Sequence, residues 1–262
     1  MRICLRPAGL SKRRELAHSS GLMPALPSIS RLLRRTMAFV ALLAMSAAMA
    51  GAPPTVPDTM AQRMQPCSAC HGKEGRATQQ GFFPRIAGKP AGYLYNQLVN
   101  FRSGRRAYPT MTYFVEQMSD DYLQEIADYF ASLELPYAPP QTVGAPTDEI
   151  ARGQALVRQG DAAHGIPACV HCHGTAMTGV LPSIPGLLGL PRGYLVEQFG
   201  AWRTGQRKAL APDCMARVAT SLTPADITAV ATWLSSQPVA VGPAAADTLA
   251  RPLPLACGSV PQ

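Results

Sequence analysis

Aromatic residues are scarce in this chain, at 6% of 262 positions, and acids are outnumbered, with 16 Asp+Glu against 24 Lys+Arg. No stretch alternates apolar and polar residues with a strand period long enough to define a strand. The composition excludes collagen, coiled coil and wholesale disorder, and the length suits one large or two small domains. The acid deficit, a net charge of +8, invites a nucleic-acid reading. Eight of the bases and one acid precede residue 50, however, leaving 16 bases and 15 acids, a net charge of +1, in the remainder. The electrostatic footprint of a nucleic-acid binder is therefore missing from the part that folds.

The basic leader is legible as an export signal. Arg31, Arg34 and Arg35 form a charged n-region, Met37 to Met49 an apolar h-region, and Ala48-Met49-Ala50 an A-x-A cleavage signal before Gly51. The apolar run is too short to span a bilayer; an uncleaved anchor or a twin-arginine signal at Arg34-Arg35 is the alternative. Met23 would begin a well-formed signal by itself, which points to a start later than Met1 and leaves Cys4 outside the mature protein. Cleavage after Ala50 would give an exported, periplasmic product.

A long internal repeat organises the rest. Cys67-Ser-Ala-Cys70-His71-Gly72 returns as Cys169-Val-His-Cys172-His173-Gly174, and Pro90-Ala-Gly92-Tyr93-Leu94 as Pro191-Arg-Gly193-Tyr194-Leu195. Phe101-Arg102-Ser103-Gly104 returns as Trp202-Arg203-Thr204-Gly205, and Phe83-Pro84-Arg85-Ile86-Ala87-Gly88 is aligned with Leu181-Pro182-Ser183-Ile184-Pro185-Gly186. Two copies of one small domain are expected, 51–135 and 147–240, joined by a stiff Pro-rich linker at 136–146 and followed by a tail at 241–262. Helices are expected from Thr147, as N-cap, to about Gln159, over Tyr93 to Phe101, after the Ser119 cap and from Pro224 to Leu234; a shortened counterpart of the first lies around Asp58 to Met64. The fold class is all-α, two tandem domains, each too small to stand comfortably on an apolar core alone.

Cys-x-x-Cys-His is the covalent haem attachment signature. One helical turn brings two thiols to the vinyl groups of one porphyrin edge and aims the following imidazole at the iron. Two motifs mean two haems c, on Cys67, Cys70 and His71 and on Cys169, Cys172 and His173; a redox dithiol or half of a zinc site is the bland reading of either motif alone. Met111 and Met215, each seven residues before aligned helix entries and about 40 residues after its His, are the expected second iron ligands. Met118 is expected in the core. A ligating His also needs an acceptor for its other ring N–H, and the carbonyls of Pro84 and Pro182 are the candidates. Tyr93, Tyr194, Phe101 and Trp202 would wall the crevices. Arg102, Arg105, Arg106, Arg203, Arg207 and Lys208 would face propionates, a partner or solvent.

Cys214 and Cys257 remain. In an oxidising compartment they are expected to form a disulfide, with Cys214 as an iron ligand or reactive thiol the alternative. His164 and His171 are expected at the surface.

The two Cys-x-x-Cys-His motifs, the Pro84 and Pro182 segments, the Gly-Tyr-Leu helices and the paired Met111 and Met215 resemble the two-haem class I cytochromes c of the cytochrome c4 family over nearly all of residues 58–237. The resemblance implies two cytochrome c folds about a pseudo-twofold axis, His/Met ligation, and electron transfer in a bacterial periplasm. The donor would be a quinol-oxidising complex or a dehydrogenase, the acceptor a redox protein such as a terminal oxidase, with membrane contact only through these partners and no substrate turnover. A thiosulfate dehydrogenase-like enzyme using Cys214, or a cytochrome subunit of a larger complex, is the alternative. The Cys214/Cys257 pair, the short start of the first domain and the tail after Pro238 depart from the family pattern.

Overall fold

In the computed structural model, residues 28–48, 55–78, 82–240 and 244–261 are described. They fall into two units, Met1–Thr55 and Val56–Gln262. The first contains helix α1 (Ile29–Ala48), which starts in the basic n-region and exposes apolar residues such as Met37, Phe39 and Val40. Among the described residues no helix is long and apolar enough to cross a membrane. Cys4, Met23 and the Ala50–Gly51 cleavage site lie outside the described residues.

The second unit holds both copies of the repeat. The first copy contains α2 (Met60–Arg63), α3 (Gln65–His71), α4 (Ala91–Arg102), α5 (Pro109–Val115) and α6 (Asp120–Ala131). The second contains α7 (Thr147–Arg158), α8 (Val170–His173), α9 (Arg192–Arg203), α10 (Cys214–Ser221) and α11 (Pro224–Ser236). Their ends follow local chemistry. The Thr59 and Ser119 hydroxyls accept from Gln62 N and Tyr122 N, and Thr223 with Asp226 forms a complete capping box around Pro224. Thr147 is not a cap: it is the first helical residue, because extended Pro146 occupies the capping position.

Two apolar cores result. Leu94, Phe101, Leu123, Ile126 and Phe130 centre the first, while Leu156, Leu195, Phe199, Val230 and Leu234 centre the second. Helices α7 and α11 meet backbone to backbone at Gly153, where a Cβ would lie 2.1 Å from the Ala229 carbonyl oxygen. The one sheet among the described residues is a hairpin of two-residue strands, β1 (Gly179–Val180) and β2 (Ile184–Pro185), too short to leave a period in the sequence. The tail joins it, with Leu181 N donating to Ala246 O and Ala246 N to Gly179 O.

The linker is fastened rather than loose. Arg85, buried, donates to the Ala87, Leu135 and Pro136 carbonyls and stacks 3.9 Å over the Tyr137 ring, which itself fills the space beside Gly189. Between the copies, Arg106 and Arg207 form an antiparallel bridge, supported by Ala107 N to Gln206 O and Lys208 N to Arg105 O.

Candidate functional site

Each Cys-x-x-Cys-His segment occupies one short helix that ends at its His, and a left-handed glycine follows: Gly72 at φ 75° and Gly174 at φ 83°. A side chain at Gly72 would also strike the Ala77 carbonyl oxygen at 2.2 Å, so the tight exit that turns the imidazole inward requires glycine. His71 Nδ1 donates to the Pro84 carbonyl at 3.0 Å, and His173 Nδ1 donates to the Pro185 carbonyl at 2.8 Å. Burial lowers both imidazoles below their ordinary pKa. Neutral rings with Nδ1 protonated leave Nε2 as the free donor atom, the form an iron ligand needs.

The second of these bonds corrects the expectation for Pro182. Its carbonyl accepts instead from Gly92 N of the other copy, at 3.0 Å. The reason is register. Ile184-Pro185-Gly186-Leu187-Leu188-Gly189 is the true counterpart of Phe83 to Gly88, at the same offset that relates Pro90 to Pro191 and Gly92 to Gly193. Pro182 belongs to the β1–β2 turn, which places it against the first copy.

One cavity of about 480 Å3 runs through both copies. Cys67, Cys70, His71 and Met111 line it from the first copy, and Cys172, His173 and Met215 from the second. Tyr93, Phe101, Tyr194 and Trp202 also line it, as does Met118, which packs at the same time on the first core. Cys169 is packed on the second core, and burial pushes its thiol up to about 12; Cys67 and Cys172 are raised for the same reason.

The charges are unusual. Arg106 donates to Gln97 Oε1, Gln198 Oε1 and Tyr194 OH, while Arg207 donates to Gln198 Oε1, Gln97 Oε1 and Tyr93 OH. Each guanidinium also stacks on its own copy's aromatic, Arg106 on Phe101 at 4.6 Å and Arg207 on Trp202 at 3.8 Å. Two equivalent half-sites thus interlock about a local twofold. Lys89, buried, donates only to Gly186 O at 2.9 Å, and burial pulls its ammonium down to about 7. Among the described residues none of these three cations has a carboxylate partner, and all three line the cavity. Trp202 Nε1 is buried without an acceptor. Cations without a carboxylate, two buried and one half-buried, and an orphaned donor around an apolar cavity call for an anionic, largely apolar occupant. With the thiols of Cys67, Cys70 and Cys172 and two neutral imidazoles at its walls, the cavity fits covalently attached haem, whose propionates would supply the missing acceptors.

The other basic residues do different work. Arg102 binds the Met118 carbonyl and Asp120, and Arg203 the Ala219 and Leu222 carbonyls, each joining two helices of its own copy. Arg105 donates to Asn100, and Lys208 is exposed. His164 sits at the surface paired with Asp161, and His171 is partly exposed on α8. Lys89, Gln97 and Gln198 escaped the sequence reading. The signal for Lys89 was present: its counterpart in the second copy is the buried Leu190.

Cys214 and Cys257 are joined in a disulfide, so Cys214 offers no thiolate to an iron or to a sulfur substrate.

No protein-family model matches the chain. It is 36% identical over 174 residues to the thiosulfate dehydrogenase electron acceptor of Thiomonas intermedia, covering 66% of this chain and 79% of the relative. It is 33% identical to cytochrome c4 of Pseudomonas aeruginosa, covering 64% and 82%. Crystalline reduced cytochrome c4 from Pseudomonas stutzeri superposes with a TM-score of 0.59 at 29% identity, over 67% of this chain and 95% of that one. Thiosulfate dehydrogenase from Marichromatium purpuratum superposes at 0.57 and 32% identity over 66% of this chain, which spans only 36% of that longer protein. The likeness runs to the carriers over most of their length: the chain belongs to the di-haem cytochrome c4 family, c-type cytochromes that transfer electrons and are not enzymes.

Proposed function

We propose that the chain holds two haems c, one ligated by His71 and Met111 and the other by His173 and Met215, in domains at 51–135 and 147–240 joined by the 136–146 linker. The protein is exported, with cleavage after Ala50, and works in the periplasm. There it takes electrons from a sulfur-oxidising dehydrogenase of the thiosulfate type and passes them to a redox partner such as a terminal oxidase. The donor class rests on relatives named as electron acceptors of thiosulfate dehydrogenase.

The observation that carries the reading is the single cavity reaching from His71 to His173. Bound haem supplies one-electron iron chemistry. The chain's own residues do the rest. The Pro84 and Pro185 carbonyls hold the imidazoles in one tautomer and orientation, the apolar walls exclude water, and the interlocked Arg106 and Arg207 fix the two half-sites at one separation. A rigid interface of this kind keeps structural rearrangement small when charge moves between the sites.

A pyridine haemochrome assay on the exported protein should give two haems per chain, falling to one in Cys67→Ala/Cys70→Ala. Electron paramagnetic resonance of the oxidised form should give two low-spin His/Met signals. Mixing with a thiosulfate dehydrogenase and thiosulfate should reduce both haems. One haem per chain, or a His/thiolate signal, would refute the assignment.

A further inference from the structure

The second copy has a cover that the first lacks. Its tail returns over the cavity as a strap. Leu253 and Leu255 are partly buried and Cys257 is buried, while Pro252, Pro254 and Ala256 between them are exposed. This period of two aims one face of the strap inward, and Leu253, Leu255 and Cys257 all line the cavity together with Met215. The two prolines restrict the intervening backbone to extended conformations.

Four attachments hold it. Ala246 pairs with the β1 hairpin at its start. Cys257 is bonded to Cys214, the residue before Met215, with their Cα atoms 5.1 Å apart. Gly258 N donates to the Pro212 carbonyl at 2.9 Å, and a Cβ there would lie 2.1 Å from the Ala211 oxygen, so only glycine permits the approach. Ser259 O accepts from Asn96 Nδ2 of the first copy at 3.1 Å. The start of α10 is fixed as well, because the Asp213 carboxylate accepts from Ala209 N and Ala216 N.

The first copy supplies the internal control. Thr110 stands where the second copy has Cys214, and the Phe114 and Tyr113 side chains remain exposed on α5, with Phe82 exposed beside the same crevice. Val218, the counterpart of Phe114, is partly buried on the second core.

We infer that the disulfide-fastened strap, through Leu253, Leu255 and the Cys214–Cys257 bond, seals the second haem crevice and holds Met215 at its iron, so that only the first crevice is accessible to small exogenous ligands. These are positioning residues: they act on the iron through Met215 and through exclusion of solvent. The inference rests on the ligand assignment proposed above. Without the strap the ligand side of the second crevice opens to water, and an external imidazole competes with Met215 without first having to displace a covalently tethered segment. In the intact protein the apparent affinity for such a ligand is reduced by the fraction of molecules with the strap open.

The test is imidazole titration of the oxidised, haem-loaded protein, followed at each haem by electron paramagnetic resonance, with the signals assigned from Met111→Ala and Met215→Ala. Cys214→Ser/Cys257→Ser frees the strap. Leu253→Gln/Leu255→Gln keeps the disulfide and spoils only the inward face, so the result survives a folding failure of either variant. Both should raise imidazole affinity at the second haem by on the order of tenfold or more, leave the first haem unchanged, and bring the second haem toward the first. Affinities at both haems equal to the parent's, or raised equally at both, would overturn the inference while the ligand assignment stands. A parent protein lacking a thioether signal that Met215→Ala removes would overturn the assignment and the inference together.

Discussion

Helices α7 and α11 cross within the second core, and the closeness of that crossing can be tested with one methyl group placed twice. At Gly153 a Cβ would meet three atoms of α11: the Ala229 carbonyl oxygen at 2.1 Å, its carbon at 2.7 Å and Trp233 Cβ at 2.9 Å. Two of these are backbone, so no side-chain rotation relieves the clash. An unstrained contact needs roughly 3.5 Å, and the helices must therefore part by about 1 Å or more, loosening Leu156, Val157, Val230 and Leu234 behind them. Overpacking of this kind costs about 1–3 kcal/mol. At Gly200, inside α9, nothing lies within 4 Å of the same Cβ and φ is ordinary. There the methyl only removes unfolded-state freedom and helix strain, stabilising by about 0.5–1 kcal/mol. With roughly 2–4 °C per kcal/mol for a protein of this size, Gly153→Ala should lower the thermal midpoint by about 2–12 °C and Gly200→Ala should raise it by about 1–4 °C. The assay is thermal unfolding of the oxidised, haem-loaded protein followed by circular dichroism at 222 nm (about the usual helical wavelength). Gly153→Ala at or above the parent midpoint would refute the packing argument, whatever Gly200→Ala does.

Further outcomes follow from other sites. Gly92 and Gly193 are twins, but only Gly92 abuts the other copy, with the Pro182 oxygen 2.8 Å from its would-be Cβ; Gly92→Ala should cost about 1 kcal/mol, whereas Gly193→Ala, open like Gly200, should be neutral or stabilise by up to about 1 kcal/mol, by chemical denaturation of the two proteins side by side. Burial alone would raise the Asp226 carboxyl, but hydrogen bonds from Thr223 and Arg152 outweigh it and hold the group below the usual carboxylate range. A depressed folded pKa means stability that is complete above the unfolded value, ~3.9, and lost as pH falls through the folded one; Asp226→Asn should remove about 1 kcal/mol near neutrality and flatten the acid limb of a midpoint-against-pH curve. Trp202→Phe deletes the orphaned Nε1–H and keeps an aromatic ring, though a smaller one, under Arg207. If that donor meets a propionate in the loaded protein, the variant leaves one haem's midpoint unchanged and lowers the other's, read by spectroelectrochemical titration.

Much of the site was legible because the chain repeats itself. A duplication turns every motif into a comparison, and Met111 and Met215 stand out from the other methionines by their shared register before Ser119 and Thr223. The same comparison misplaced Pro182. It sits in a segment whose x-Pro-x-Ile-x-Gly pattern matches the first copy by eye, yet the fold uses Pro185, because the register that runs on through Pro191 and Gly193 pairs Pro84 with Pro185, and a hairpin of two residues a strand carries no periodicity that would show it. Thr147 misled for a related reason: a threonine before two acids is a capping signal, and the proline before it had already taken the capping geometry. The interlocked arginines could be suspected as propionate ligands but not placed. Their hydrogen bonds to Gln198 and Gln97 link residues about a hundred positions apart, and no local pattern reports a contact across two domains.

The symmetry and its breach carry separate parts of the chemistry. Arg106 with Gln198 and Tyr194, and Arg207 with Gln97 and Tyr93, use the same residue types at equivalent positions, so neither half can move without disturbing the other's hydrogen bonds. That suits exchange of an electron between two sites, which needs a fixed separation and gains nothing from a difference in scaffold. Net transfer in one direction needs the opposite: the two irons must differ in potential or in access, and a perfect duplication supplies neither. One such difference falls at the ligand side, where Cys214 replaces Thr110 and the Pro-Leu-Pro-Leu strap covers one crevice. A symmetric interface with a divergent rim is what a two-centre carrier requires, since the rim can be altered without changing the distance across which the centres communicate.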